Sequence, residues 1–149
     1  MSTTRAANEF AELINRVRAF VDDEVIPAED LRSAHDAEAV AQKINGLRRR
    51  AESLGLGNPR TPLAEGGLGL SWEECCSYLE QAGRSFLGPG SLQCAAPGQP
   101  DIAALDRLAN DHQRARYLTP LVRGEKYSCF AMTEPAPGVG SDPRMLMTR

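Results

Sequence analysis

Hydrophobic positions near the start of the chain recur every three or four residues. Phe10, Leu13, Ile14, Val17, Phe20 and Val21 form one apolar stripe, the mark of a helix that buries a single face. Pro27 stops it, because the ring removes a backbone donor and clashes with the preceding turn. Asp36 is placed to cap a second helix, which carries Val40, Ile44, Leu47, Ala51 and Leu54 and ends at Gly55 and Gly57. The stretch 58–70, NPRTPLAEGGLGL, is dense in proline and glycine and reads as an ordered loop.

Ser71-Trp72-Glu73-Glu74 is a capping box that opens a third helix, with Trp72 as a packing anchor and Gly83 at the end. Gly88-Pro89-Gly90 makes a second break, and a short helical segment fits near Ser91 to Ala95. Pro100-Asp101 begins a further helix with Ile102, Leu105 and Leu108 inward, interrupted at Asn110-Asp111. A last helix, with Tyr117, Leu118, Leu121 and Val122, runs to Arg123, and Gly124 lies past its end. The pattern then changes. Tyr127 to Thr133 alternates as a strand does, and a proline- and glycine-rich loop follows from Glu134 to Pro143. Met145 to Arg149 reads as the start of another extended segment.

At 149 residues the chain has room for one domain, or for one domain and part of another. Its 42% hydrophobic and 25% charged residues exclude pervasive disorder. Uncharged stretches are too short to span a bilayer. A net charge of −3 argues against a nucleic-acid partner, and Arg48-Arg49-Arg50 reads as the solvated side of a helix. Cys75, Cys76, Cys94 and Cys129 show no CxxC pair and no histidine at ligand spacing, so no metal site is expected. His35 and His112 lie in polar contexts and read as surface residues. The first residues lack the apolar core of a signal peptide, so a reducing, cytoplasmic setting is expected, with the thiols as small apolar fillers.

The residues from 130 onward add a resemblance. Phe130-Ala131-Met132-Thr133-Glu134-Pro135, followed by Gly140-Ser141-Asp142, resembles the flavin-binding signature of the acyl-CoA dehydrogenase family. Val17 to Glu29 is similar to the family's first helix. Pro62 with Gly66-Gly67-Leu68-Gly69-Leu70 resembles its P-x-x-x-G-G-x-G loop. Gln113, Tyr117-Leu118-Thr119-Pro120-Leu121 and Gly124-Glu125 resemble its last helix before the signature. The motifs stand in the family's order across most of the chain.

The resemblance implies a mainly α fold. Residues 1–125 would form the family's N-terminal helical bundle domain, and 126–149 the first strand and loop of a truncated middle β-domain. It implies FAD as cofactor. The Met132 and Thr133 backbone and the Thr133 hydroxyl would meet the flavin near N5, and Phe130 would lie beside the ring. Gly140 and Ser141 would approach the pyrophosphate, where glycine permits close backbone contact. Gln93-Cys94-Ala95-Ala96-Pro97 matches the family's helix break beside the acyl chain. Gln93, Cys94 and Ser141 are thus candidate substrate contacts, with core packing an equal explanation of the small residues. Glu134 is expected to tie the loop rather than act as a base.

The implied reaction is α,β-dehydrogenation of an acyl-CoA thioester, with hydride passing to flavin N5. The family's carboxylate base lies in a C-terminal helical domain, so no catalytic residue is expected in this chain and little activity from it alone. A homo- or hetero-oligomer and an electron-accepting flavoprotein are the implied partners. Two features depart from the pattern. Five residues, Ala136 to Gly140, separate Pro135 from Ser141 where three are common, and Leu63-Ala64-Glu65 replaces the usual acidic and aromatic residues. Other readings stay open. On residue types alone the loop is a Gly/Pro turn with Ser141 and Asp142 serving its geometry. A non-catalytic helical module, or a subunit completed by another chain, is one alternative function. A flavin monooxygenase or oxidase of the same fold is another.

Overall fold

A computed structural model describes residues 2–30, 35–135 and 142–147. The described residues are mainly helical. Helix α1 (Ser2–Phe20) carries the first apolar stripe and continues through a wide turn (Val21–Val25) and a tight turn (Ile26–Ala28). Pro27 sits in that tight turn, where its missing donor costs nothing. Helix α2 (Ala37–Ser53) starts at Asp36, whose carboxylate accepts the Glu38 and Ala39 N–H groups at 3.1 and 3.0 Å. Helix α3 (Trp72–Ala82) opens on the expected capping box: Glu74 N–H donates to Ser71 Oγ, and Ser71 N–H to Glu74 Oε2.

After α3 come a short α4 (Gly88–Ser91), α5 (Gly98–Leu108), α6 (Asp111–Gln113), a wide turn (Arg114–Leu118) and α7 (Thr119–Val122). The main core joins Val17, Phe20, Val21 and Val25 to Ala51, Leu56, Tyr78, Ala82, Leu87 and Leu92. Each large apolar side chain buried there contributes roughly 1.5–3 kcal/mol. A smaller core of Ile102, Leu118, Leu121 and Val122 holds α5 to α7. The Tyr78 hydroxyl, buried in the main core, donates to the Leu56 carbonyl.

Polar ties fix the connections. Glu29 accepts Ser85 Oγ–H at 2.5 Å and Phe86 N–H at 3.1 Å, holding the end of the first helix to the break before α4. Arg114 pairs with Glu65 at 2.5 Å and Asp106 at 2.8 Å, which gives the divergent Leu63-Ala64-Glu65 turn an anchor on α5 and on the wide turn after α6. The glycine-rich loop folds tightly on itself. A Cβ at Gly67 would sit 2.2 Å from the Thr61 carbonyl oxygen.

Several expectations are corrected. The short helix spans Gly88–Ser91 rather than 91–95, and α5 starts at Gly98, before Pro100. Leu108 is 84% exposed, not inward, because α5 ends there and Ala109 turns extended. Trp72 is 73% exposed and serves as a platform for Arg60, whose guanidinium lies 3.9 Å above its ring. Arg49 and Arg50 are solvated, but Arg48 is half-buried. Residues 127–133 carry no regular secondary structure, because a strand needs a partner and none stands beside them among the described residues. Glu134 forms a single bridge there, and its carboxylate accepts Met147 N–H at 2.7 Å, tying the loop as expected. Among the described residues no helix is long and apolar enough to cross a membrane.

Candidate functional site

A cavity of about 250 Å³ lies between α2, the break from Pro89 to Gly98, α5, α7 and residues 126–128. Ala41, Ile44 and Arg48 reach it from one face of α2, since three- and four-residue steps align on a helix. Ile102 and Leu121 add apolar surface from α5 and α7. The break contributes Gly90, Ala95, Ala96 and Gly98, too small to fill the space they enclose.

Gln93 lines this cavity. It adopts a left-handed φ of 53°, and its carbonyl accepts Gln99 Nε2–H at 2.7 Å. Cys94 faces the other way and packs against the main core. Burial pushes its thiol up to about 12, so it is neither a nucleophile nor a thiolate ligand at neutral pH.

The wall at 126–128 is held by a clamp. The Tyr127 hydroxyl donates to Asn45 Oδ1, and the Arg48 guanidinium lies 4.9 Å from the Tyr127 ring centroid. Arg48 Nη2–H also donates to the Gly90 carbonyl at 3.3 Å. Gly124 closes α7 with a φ of +67°, and a Cβ there would stand 2.6 Å from Arg48 Cδ. Only glycine meets both demands. Lys126 Nζ–H donates to the Arg116 carbonyl at 3.1 Å, away from the Tyr127 clamp.

Beyond the clamp, the backbone of residues 128–133 makes no hydrogen bond among the described residues. Phe130 is 74% exposed, Thr133 is exposed and Met132 half-buried. Free N–H and C=O groups beside a hydroxyl fit the heteroatom edge of a flavin, which needs both donors and acceptors. Gly140 and Ser141 lie outside the described residues. Asp142 accepts Arg144 N–H at 3.0 Å and pairs with its guanidinium at 2.9 Å, so it serves turn geometry. That guanidinium holds the Asp142 carboxyl below its ordinary value. Among the described residues no cluster of three metal-ligating side chains occurs.

Arg48, Asn45 and Tyr127 were not legible as site residues. They lie far apart along the chain, and no local motif marks them.

Residues 7–125 match the family described as acyl-CoA dehydrogenase, N-terminal domain. Acyl-CoA dehydrogenase family member 10 of Mus musculus is 32% identical over 133 residues, covering 83% of this chain and 12% of the relative. A Mycobacterium tuberculosis protein assigned as acyl-CoA dehydrogenase FadE2 is 34% identical over 119 residues, 78% of this chain and 28% of its own length. A solved chain from Mycobacterium abscessus, assigned as an acyl-CoA dehydrogenase, superposes with a TM-score of 0.75 at 35% identity. That superposition covers 89% of this chain and 35% of the solved one. The chain therefore spans a third or less of the curated relatives named here.

Proposed function

The chain belongs to the acyl-CoA dehydrogenase family, and we propose that its cavity receives the acyl chain of a CoA thioester while residues 128–133 offer their backbone to FAD. One observation carries this reading. Residues 126–128 wall the cavity and lead directly into the stretch of unpaired backbone. An acyl chain in the cavity and a ring system on that stretch would be neighbours.

FAD supplies the two-electron acceptance that α,β-dehydrogenation requires. The residues of this chain bind and orient. Met132 and Thr133 would hydrogen-bond the flavin edge through backbone groups, with the Thr133 hydroxyl beside them. Phe130 would cover the ring, and Gly140 and Ser141 would meet the pyrophosphate. Ile44, Ile102 and Leu121 exclude water from the acyl chain, which strengthens any charge interaction at its reacting end. Gln93 would contact the chain at the cavity rim. No aspartate or glutamate lines the cavity, so the base that removes the α-proton comes from outside this wall. Residues 1–125 act as the helical domain and 126–149 as the opening of a β-domain, within an oligomer that passes electrons to a flavoprotein acceptor.

Calorimetric titration with an aliphatic acyl-CoA, beside CoA alone, tests the reading. Ala41→Phe fills the cavity from an exposed helix position and leaves the core intact. It should weaken acyl-CoA binding by about tenfold, or 1.4 kcal/mol, and leave CoA unchanged. Equal affinity of the variant and the parent chain for acyl-CoA would overturn the assignment.

A further inference from the structure

Arg48 is the half-buried cation of the sequence's one dense basic run, beside exposed Arg49 and Arg50. It stands in the wall of a mostly apolar cavity. The lining contains two cations, Arg48 and Lys126, and no carboxylate, in a chain whose net charge is −3. Lys126 is engaged by the Arg116 carbonyl. Arg48 has no carboxylate partner among the described residues. Its Nε is buried without an acceptor, and so is the Ser128 hydroxyl in the same wall.

A buried guanidinium N–H without an acceptor is costly, and so is a half-buried charge without a counter-ion. The remaining surface is too apolar for a hydrated polyanion. The complementary ligand is an aliphatic chain that ends in an anion.

Resting on the acyl-CoA reading above, we propose that this cavity selects an acyl chain with a carboxylate at its far end, bound by Arg48 with Ser128 as a second donor. The carboxylate would supply the acceptor that Nε lacks, in a charge-assisted contact. It would replace the long 3.3 Å bond from Nη2 to Gly90. The cavity body, with Ile44, Ile102 and Leu121, takes the methylene chain.

The test pairs two CoA thioesters of equal chain length, one ending in a carboxylate and one in a methyl group, by calorimetry on the parent chain. The carboxylate form should bind at least about tenfold tighter. Arg48→Met should abolish that preference and Arg48→Lys retain part of it, with thermal melts reporting the fold of each variant. Equal affinities in the parent chain, which need no variant, would overturn the proposal. So would a preference that survives in a folded Arg48→Met. If CoA alone weakens by the same factor in Arg48→Met, the guanidinium serves the CoA phosphates and the proposal fails. If neither thioester binds but the free dicarboxylic acid does, in an Arg48-dependent way, the CoA reading fails and the cavity assignment stands. If nothing binds, both fall.

Discussion

Asn58 donates its side-chain amide to the Val122 carbonyl at 3.0 Å, across 64 residues of chain. This buried contact ties the start of the glycine-rich loop to α7, which forms part of the cavity wall. Asn58 itself adopts a left-handed φ of 56°, a conformation that asparagine tolerates better than most residues. Asn58→Ala leaves the Val122 carbonyl unpaired and adds backbone strain. It should cost roughly 2–4 kcal/mol in urea denaturation. Asn58→Gly keeps the φ and loses only the hydrogen bond, so it should fall between Ala and the parent chain.

Two glycine-to-alanine substitutions should move stability in opposite directions. At Gly67 the new Cβ would meet the Thr61 carbonyl oxygen at 2.2 Å, and the backbone must shift. A loss of about 3 kcal/mol or more is expected, in the upper range for single substitutions. Gly46 lies inside α2 with nothing within 4 Å of the added atom. There alanine should stabilise by about 0.5–1 kcal/mol, since glycine is the poorer helix former. Thermal melts of the two variants decide it; equal signs would contradict the packing described for the loop.

Cys94 and Tyr78 make the fold sensitive to alkali. Burial raises the Cys94 thiol from 9.0 to about 12 and the Tyr78 hydroxyl well above 10.0. The unfolded chain releases these protons first, so it binds fewer protons than the folded chain in this range. Stability should therefore be full below about pH 9 and fall as pH rises toward 12. Urea midpoints measured across that window check the sign. At neutral pH an alkylating reagent should modify exposed Cys76 and Cys129 quickly, half-buried Cys94 more slowly, and buried Cys75 only on unfolding, as read by mass spectrometry.

What could be read from the sequence was local. The Asp36 cap, the Ser71–Glu74 box and the glycine after α7 announce themselves through side chains that act on their own neighbours. Periodicity likewise marked Val17, Phe20 and Val21 as core, and they are buried. It misplaced Leu108 because a stripe does not say where a helix will stop. Gln93 was reached through the family resemblance, and it does line the cavity. Cys94, one residue on, faces the core instead, since adjacent residues at a break point in different directions. Arg48 looked like one of three equivalent surface cations. Only the fold brings Tyr127 and Gly90 to it and separates it from Arg49 and Arg50.

The central claim is that the cavity walled by residues 126–128 holds the acyl chain. A CoA thioester with a diazirine on its aliphatic tail, photolysed on the chain and mapped by mass spectrometry, addresses it most directly. The predicted adducts fall on Ala41, Ile44, Ile102 and Leu121, and excess unlabelled acyl-CoA removes them. Labelling confined to Ala104, Leu105 and Tyr117, which line a neighbouring groove that shares Leu121 and residues 126–128 with the cavity, would contradict it. So would labelling that acyl-CoA does not displace.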